Sequence, residues 1–328
     1  MPFIVRRLVF YLVAAWVALT INFFIPRAMP GNAVQSVMAK FPNLQPSAYK
    51  ALQALLGVGN PGSIWSQYVS YLNDIFHFNF GTDVSQYPAQ VSSLLIQTLP
   101  WTITLVGTAT VIAFLIGTAL GIVAGWRHGG TLDRVLPGLM FLQAIPYFFF
   151  ALILVELLAI RFHVFPTGQG YDNGLIPGWH WDFISSALYH SALPALTIVL
   201  TSIAGWMLQM RNVMITTSGE DYVIAAQAKG LPSRRVIYTY AARNALLPQL
   251  QGFGLAVGFV VSGAIVMEIV FGYPGIGLLL LNAVTSNDYP LMQAIFLVIT
   301  FAVLLANLVV DMIIVVADPR ARRMEATS

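Results

Sequence analysis

Six stretches of this chain are apolar for long enough to cross a lipid bilayer, and that feature decides most of what it can fold into. They cover about residues 8–25, 101–125, 135–160, 193–210, 250–271 and 291–316. A hydrocarbon core of roughly 30 Å takes about 20 helical residues. Lipid offers no partner to a backbone N–H or C=O, so each stretch must close its hydrogen bonds internally as a helix. The short alternating stretches of a membrane barrel are missing. The expectation is an all-α, multi-span membrane protein with six transmembrane helices. Composition agrees: 9% of the residues are charged and 58% hydrophobic, whereas soluble domains carry about 25% charged residues. There is no cysteine, which excludes disulfides, thiolate metal sites and thiol nucleophiles.

Basic residues set the orientation. Twelve of the sixteen Lys and Arg fall on one side of the six spans: Arg6, Arg7, Arg127, Arg134, Arg211, Lys229, Arg234, Arg235, Arg243, Arg320, Arg322 and Arg323. The other side holds Arg27, Lys40, Lys50 and Arg161. The Arg-rich side is cytoplasmic by the positive-inside rule, so both termini are expected there. The first apolar run, about 18 residues after Arg6 and Arg7, exceeds the roughly 7–15 of a signal-peptide core. It is expected to remain as a span. The chain then divides into a tail and first helix (1–28), a long extracytoplasmic loop (29–98), a five-helix core (99–316) and a cytoplasmic tail (317–328).

Two connections are long. The first outside loop contains two helical patterns, Ala48, Ala51, Leu52 and Leu55 after Pro46-Ser47, and Ile64, Tyr68, Tyr71, Leu72 and Ile75. Their spacing predicts short amphipathic helices. These lie on the membrane or the spans, or form a platform for an external partner. The outside loop at 162–191, rich in Gly, Pro, Trp and Tyr, reads as an ordered cap. The inside connection at 211–248 reads as helix, turn, helix. Ser218 and Asp221 fit a capping box, and Gly230 supplies the left-handed stop. Ser233 then caps a second helix, which Pro248 ends. An amphipathic hairpin held on the inner leaflet by Arg234 and Arg235 is the alternative to a docking element.

Asp221-Tyr222-Val223, Ala225-Ala226, Ala228-Lys229-Gly230-Leu231 and Ala242-Arg243-Asn244-Ala245-Leu246-Leu247-Pro248 closely resemble the EAA loop of ABC-importer permeases. The version is that of the dipeptide, oligopeptide and nickel group, first of its two membrane subunits. Glu268-Ile269-Val270-Phe271, Pro274-Gly275-Ile276-Gly277, Asp288-Tyr289-Pro290-Leu291 and the tail Asp318-Pro319-Arg320 agree. The resemblance implies the type I ABC importer permease fold. It also implies a second, distinct permease, two cytoplasmic ATPases carrying ATP and Mg, and an extracytoplasmic substrate-binding protein. No P-loop pattern occurs in this chain, so no cofactor is expected on it. The ATPase-coupling residues carried over are Asp221, Tyr222, Ala225, Ala226, Lys229, Gly230, Arg243, Asn244 and Pro248. The alanines would let the helix sit close to a groove on the ATPase. Cargo stays open among peptides, oligosaccharides and nickel complexes, with peptides leading.

Within the spans, Gly117, Gly121 and Gly125 recur at every fourth position, as do Gly254, Gly258 and Ser262. Such faces let membrane helices approach closely. Gly125 is expected to lie away from the 211–248 loop, and Pro146 to kink the third span. Glu156, Arg161, Glu268 and Asp311 are the ionisable groups in or near the spans, where lipid exposure is costly. Glu156 and Arg161 are spaced for a poorly aligned pair, and Asp311 lies near the inner end. Glu156, Glu268, Pro274, Gly275 and Gly277 are the candidates for pathway or gating, with Glu268 more suited to bracing the Pro-Gly turn. The five histidines fall in loops and form no evident ligand set. H-E-x-x-H and G-x-S-x-G are absent, which argues against a membrane enzyme. A channel would have no use for the 211–248 hairpin.

Overall fold

The structure is a computed structural model, and it describes residues 3–28, 62–83, 86, 88–258 and 265–317. The described residues are helical apart from connections and one isolated antiparallel bridge, Thr82 to Gln90. The helices are α1 (Phe3–Ala28), α2 (Ile64–Phe76), α3 (Val91–Trp126), α4 (Thr131–Ala144), α5 (Tyr147–Leu154) and α6 (Trp181–Ser218). They continue as α7 (Asp221–Ala228), α8 (Ser233–Arg235), α9 (Arg243–Gly258), α10 (Ile265–Val270), α11 (Ile276–Thr285) and α12 (Tyr289–Ala317). π-Helical segments extend α5 (Val155–Arg161) and join α8 to α9 (Val236–Ala242). Among the described residues, α1, α3, α6 and α12 are each long and apolar enough to cross a membrane, and α4 with α5 makes a fifth crossing if that bent pair is one span. The expected span at 250–271 includes 259–264, outside the described residues. The pattern at 46–55, Ser262 and the tail motif at 318–320 also lie outside the described residues.

The chain divides into two compact units. In the first, Met1–Trp101 with Pro274–Leu304, the pattern at 64–75 forms α2. The Ser63 hydroxyl caps it, accepting from the Ser66 N–H at 3.1 Å. Its apolar face packs on spans of its own unit. Tyr68 meets Phe23 edge-on at 5.2 Å. Asn22 Nδ2 donates to the Tyr71 hydroxyl at 3.0 Å and to the Gln293 carbonyl at 2.8 Å. Burial pushes the Tyr71 hydroxyl up to about 12, so this phenol stays protonated at neutral pH. The Asp288 motif is a helix start: its Oδ1 accepts from the Leu291 N–H at 3.0 Å. Pro290 occupies an early position where a missing N–H costs the helix nothing.

The second unit, Thr102–Tyr273 with Leu305–Ser328, is organised by the glycine face of α3. A Cβ at Gly117 would lie 2.5 Å from the Trp206 Cβ, at Gly121 2.6 Å from the Met207 carbonyl oxygen, and at Gly125 2.5 Å from the Met214 Cβ. Real side chains do not approach so closely, so α6 sits where only glycine admits it. The helices α4 and α5 also pack on α6. The third span is broken rather than kinked: α4 and α5 meet at 96°. Pro146 removes a donor and forces its predecessor out of helical geometry. α6 runs 38 residues, about 57 Å, well beyond the stretch expected at 193–210. Its lower part is clasped by an ion pair. Arg211 Nη2 donates to Asp133 Oδ2 at 3.0 Å, Arg211 Nε to Oδ1, and the Gly129 N–H reaches Oδ2 at 2.8 Å.

The two kinds of glycine in α3 give a direct test. A Cβ at Gly107 meets nothing within 4 Å, whereas at Gly121 it meets backbone. Gly121→Ala should destabilise the detergent-solubilised protein by roughly 1–3 kcal/mol through overpacking. Gly107→Ala should leave its thermal midpoint unchanged or raise it, since alanine is the better helix former.

Candidate functional site

The 211–248 segment begins where α6 ends, and α6 runs through Ser218. The Ser218 hydroxyl therefore bonds back to the Met214 carbonyl at 2.5 Å, and the expected capping box does not form. Glu220 holds the cap position of α7 in extended geometry, without a side-chain bond. The stop is as expected. Gly230 has φ +71°, its N–H bonds the Gln227 carbonyl at 2.9 Å, and the Leu231 N–H reaches the Ala226 carbonyl at 3.4 Å. That bond pair is the Schellman motif, which needs a residue free to take positive φ. Pro232 rather than Ser233 holds the cap position of α8, its carbonyl accepting from the Arg235 and Val236 N–H groups. Pro248 does not end the second helix but lies inside α9. Its neighbours Ala245 and Gln249 are buried. Gln249 Nε2 donates to Thr118 Oγ1 at 3.2 Å and to the Trp206 carbonyl at 3.1 Å. Packing carries the helix through a proline that local preference would make its end.

α7 has two faces. Val223 and Ala226 pack inward with Met210 and Met214 of α6, Ile122 of α3, and Val236, Ala241, Ala242 and Ala245. Ala226 is 3% exposed, so it belongs to the support and not to an outward surface, contrary to the sequence expectation. Ala225, Ala228, Lys229 and Asp221 are exposed, with Tyr222 at 41% and Ile224 at 51%. Arg243 and Asn244 are also exposed, the Asn244 amide donating to the Tyr240 carbonyl at 2.9 Å. Met214 touches both the glycine seam and α7. Gly125, whose Cβ would strike Met214, is therefore tied to this segment and is not remote from it. Sequence reasoning missed the support of Met210 and Met214 and the Asp133–Arg211 clasp. The one signal was an acidic residue, Asp133, alone among basic ones in its loop. It also missed Tyr238, an exposed aromatic on the π-helical segment.

The other candidates are not assembled with this site. Glu268 is fully buried and its Oε1 accepts from Thr102 Oγ1 at 2.6 Å. Its carbonyl accepts from the Tyr273 N–H at 2.8 Å, while the Gly272 N–H bonds Ile269 at 3.2 Å. With Gly272 at φ +56°, α10 ends in the same motif as α7. Gly168 and Gln169 of the outer cap lie against this turn, the Gln169 N–H reaching the Phe271 carbonyl at 2.7 Å. Gly275 starts α11, and Gly275 and Gly277 are buried while Pro274 is half-buried. Glu156 and Arg161 are exposed on the π-helical turn after α5, and no ion pair joins them among the described residues. His190 lies buried in α6 rather than in a loop. Its Nδ1 is 2.9 Å from the Ser186 carbonyl, and the Ser186 hydroxyl donates to Asp172 Oδ2 at 2.6 Å. No metal-ligand cluster exists among the described residues.

The two faces of α7 separate by substitution. Ala226→Leu should lower the stability of the solubilised protein by about 1–3 kcal/mol. Ala225→Leu and Ala228→Leu should shift its thermal midpoint little, because those side chains point outward.

Residues 117–323 match the family described as the binding-protein-dependent transport system inner membrane component. The dipeptide transport system permease protein DppB of Escherichia coli is 30% identical over 342 residues, covering 98% of this chain and 99% of the relative. The oligopeptide transport system permease protein AppB of Bacillus subtilis is 29% identical over 302 residues, 92% of each. The di/tripeptide transport system permease protein DppB of Pseudomonas aeruginosa is 29% identical over 340 residues, 98% of this chain and 99% of its own. The matched region contains α6, the two-faced α7 and the Schellman turn at Gly272. This chain therefore belongs to the binding-protein-dependent inner membrane permeases: a multi-pass, all-α transport component with the type I ABC permease fold.

Proposed function

We propose that the chain forms half of the translocation pathway of an ATP-driven peptide importer. A second, distinct permease completes the pathway, and an extracytoplasmic binding protein delivers the cargo. Two cytoplasmic ATPases, carrying ATP and Mg, drive it. The peptide cargo follows from relatives whose names state it and that align with this chain almost end to end. The observation that carries the coupling role is the construction of α7. It is a short helix fastened by Val223 and Ala226 to a span and exposing Tyr222, Ile224, Ala225 and Ala228. An apolar helix face that its own chain leaves open suits insertion into a groove on a partner. Lys229 and Arg243 add exposed charges to the same segment, and Gly230 makes the turn that aims α7. Because Met214 links α7 to the glycine seam, a push on α7 is a push on α6 and α3. Glu268 then braces the turn before Pro274 and does not meet cargo.

The charge asymmetry supports a cytoplasmic position for both termini and the 211–248 loop. Ser47→Cys should react with an impermeant thiol reagent in intact cells, and Ser233→Cys should react only after lysis. Labelling of Ser233→Cys from outside would remove α7 from the reach of any ATPase.

Gly230→Val tests coupling. Its Cβ meets nothing, so the penalty is backbone conformation alone, about 1–2 kcal/mol. That is too little to unfold packed spans but enough to re-aim α7. Binding-protein capture should persist, while peptide uptake fails and ATPase co-purification weakens. Gly219→Ala is the control in the same loop, at φ −85° and with ordinary contacts, and should transport normally. Normal uptake and ATPase retention in Gly230→Val would leave the inner-leaflet hairpin as the better account of the loop.

A further inference from the structure

The break between α4 and α5 leaves backbone polar groups bare in the apolar part of the chain. It falls at Ile145 and Pro146. The Ile145 N–H bonds the Leu142 carbonyl at 3.3 Å, but no backbone N–H among the described residues reaches the carbonyls of Gln143 and Ala144. A cleft of about 410 Å³ opens at that point, lined by Gln143, Thr110, Tyr147, Thr201, Ser202 and Trp206 among others. Thr110 stands near the middle of the 36-residue α3, and Thr201 and Ser202 near the middle of the 38-residue α6. The cleft is therefore close to mid-depth in the bilayer.

Its lining is polar without being charged. Gln143, Thr110 and Ser202 have no side-chain hydrogen-bond partner among the described residues. Thr201 Oγ1 donates to the Thr197 carbonyl at 2.8 Å, which leaves its oxygen able to accept. Gly205 makes room for the Gln143 amide: a Cβ there would lie 2.9 Å from its Nε2. Bare carbonyls, an amide and hydroxyls at this depth cannot face lipid without a large penalty. Irregular backbone in a membrane is tolerated where it lines a water-filled cavity or is covered by protein. The cleft is open on one side, so water, a polar ligand or the partner permease stands against it.

We propose that this cleft is a contact station for the backbone of a peptide in transit, which extends the importer reading above and rests on it. An extended peptide offers N–H groups to the Gln143 and Ala144 carbonyls. It offers carbonyls to the Gln143 amide and to the Thr110 and Ser202 hydroxyls. No charged side chain lines the cleft, so neither peptide terminus is held there, and Tyr147 and Trp206 flank the backbone without selecting one side chain. Recognition of this kind passes peptides of many sequences.

The test uses the assembled transporter in proteoliposomes with its binding protein, ATP and radiolabelled tri-L-alanine. A chain without cysteine makes Ser202→Cys a single, nearly isosteric probe. The introduced thiol should react with a charged, water-soluble thiosulfonate, and saturating tri-L-alanine should slow that reaction about tenfold. Gln143→Leu should reduce uptake by about tenfold, the order of one lost hydrogen bond, with ATPase co-purification unchanged. A thiol that fails to react, one that reacts equally with and without tri-L-alanine, or normal uptake in Gln143→Leu would each overturn the station while leaving the importer standing. Absence of tri-L-alanine uptake by the unsubstituted complex would instead remove the peptide reading, and this inference with it.

Discussion

The close approach of α3 to α6 is the contact on which the rest of the second unit depends. In water two helices are driven together by their apolar faces. In lipid that drive is gone, because the surrounding chains are as apolar as leucine, and association rests on how closely backbones can come. Gly117, Gly121 and Gly125 supply that closeness, with Trp206, Met207 and Met214 filling the grooves they open. Methionine suits this place because its unbranched side chain adapts to irregular gaps. Once α6 is fixed against α3, its lower end can serve as a wall for α7.

The same local device then appears at two ends of the unit. α7 stops at Gly230 and α10 stops at Gly272, each through a pair of backbone bonds that only a positive-φ residue allows. A helix ended this way leaves few dangling carbonyls, and the chain departs in a fixed direction. At Gly230 that direction sets the face of a short exposed helix. At Gly272 it brings the Phe271 carbonyl to the Gln169 N–H of the outer cap, while Glu268 reaches sideways to Thr102. A buried carboxylate with a hydroxyl donor is a costly thing to place in an apolar protein, and here it joins two helices of one unit.

Much of this was legible in the chain. Apolar runs of bilayer length have one solution in lipid, and a glycine between a helical pattern and a proline has few uses besides a stop. What escaped was what only three dimensions decide. Ser218 looks like a cap until α6 is seen to run through it. Three alanines in an eight-residue helix offer no periodicity that picks Ala226 as the inward one. Pro248 obeys local preference in sequence and yields to packing around Ala245 and Gln249. The spacing of Gly117, Gly121 and Gly125 announces a seam without naming the partner, and so hid the link from Gly125 through Met214 to α7. For Glu268 the low tolerance of a bilayer for charge pointed away from lipid, as its burial shows, but gave no sign that Thr102 of α3 would be the donor to its carboxylate.

The length of α6 has a mechanical side. Pro194 lies inside it, 24 residues before its end at Ser218, and that portion measures about 36 Å. A rod of that reach turns a small angle at one end into a large sweep at the other. A tilt of roughly 10° about Pro194 would carry the Ser218 end about 6 Å, more than one helical turn of 5.4 Å. Over that length, several ångströms of travel at the tip that carries α7 correspond to only a slight rotation of the helix at Pro194.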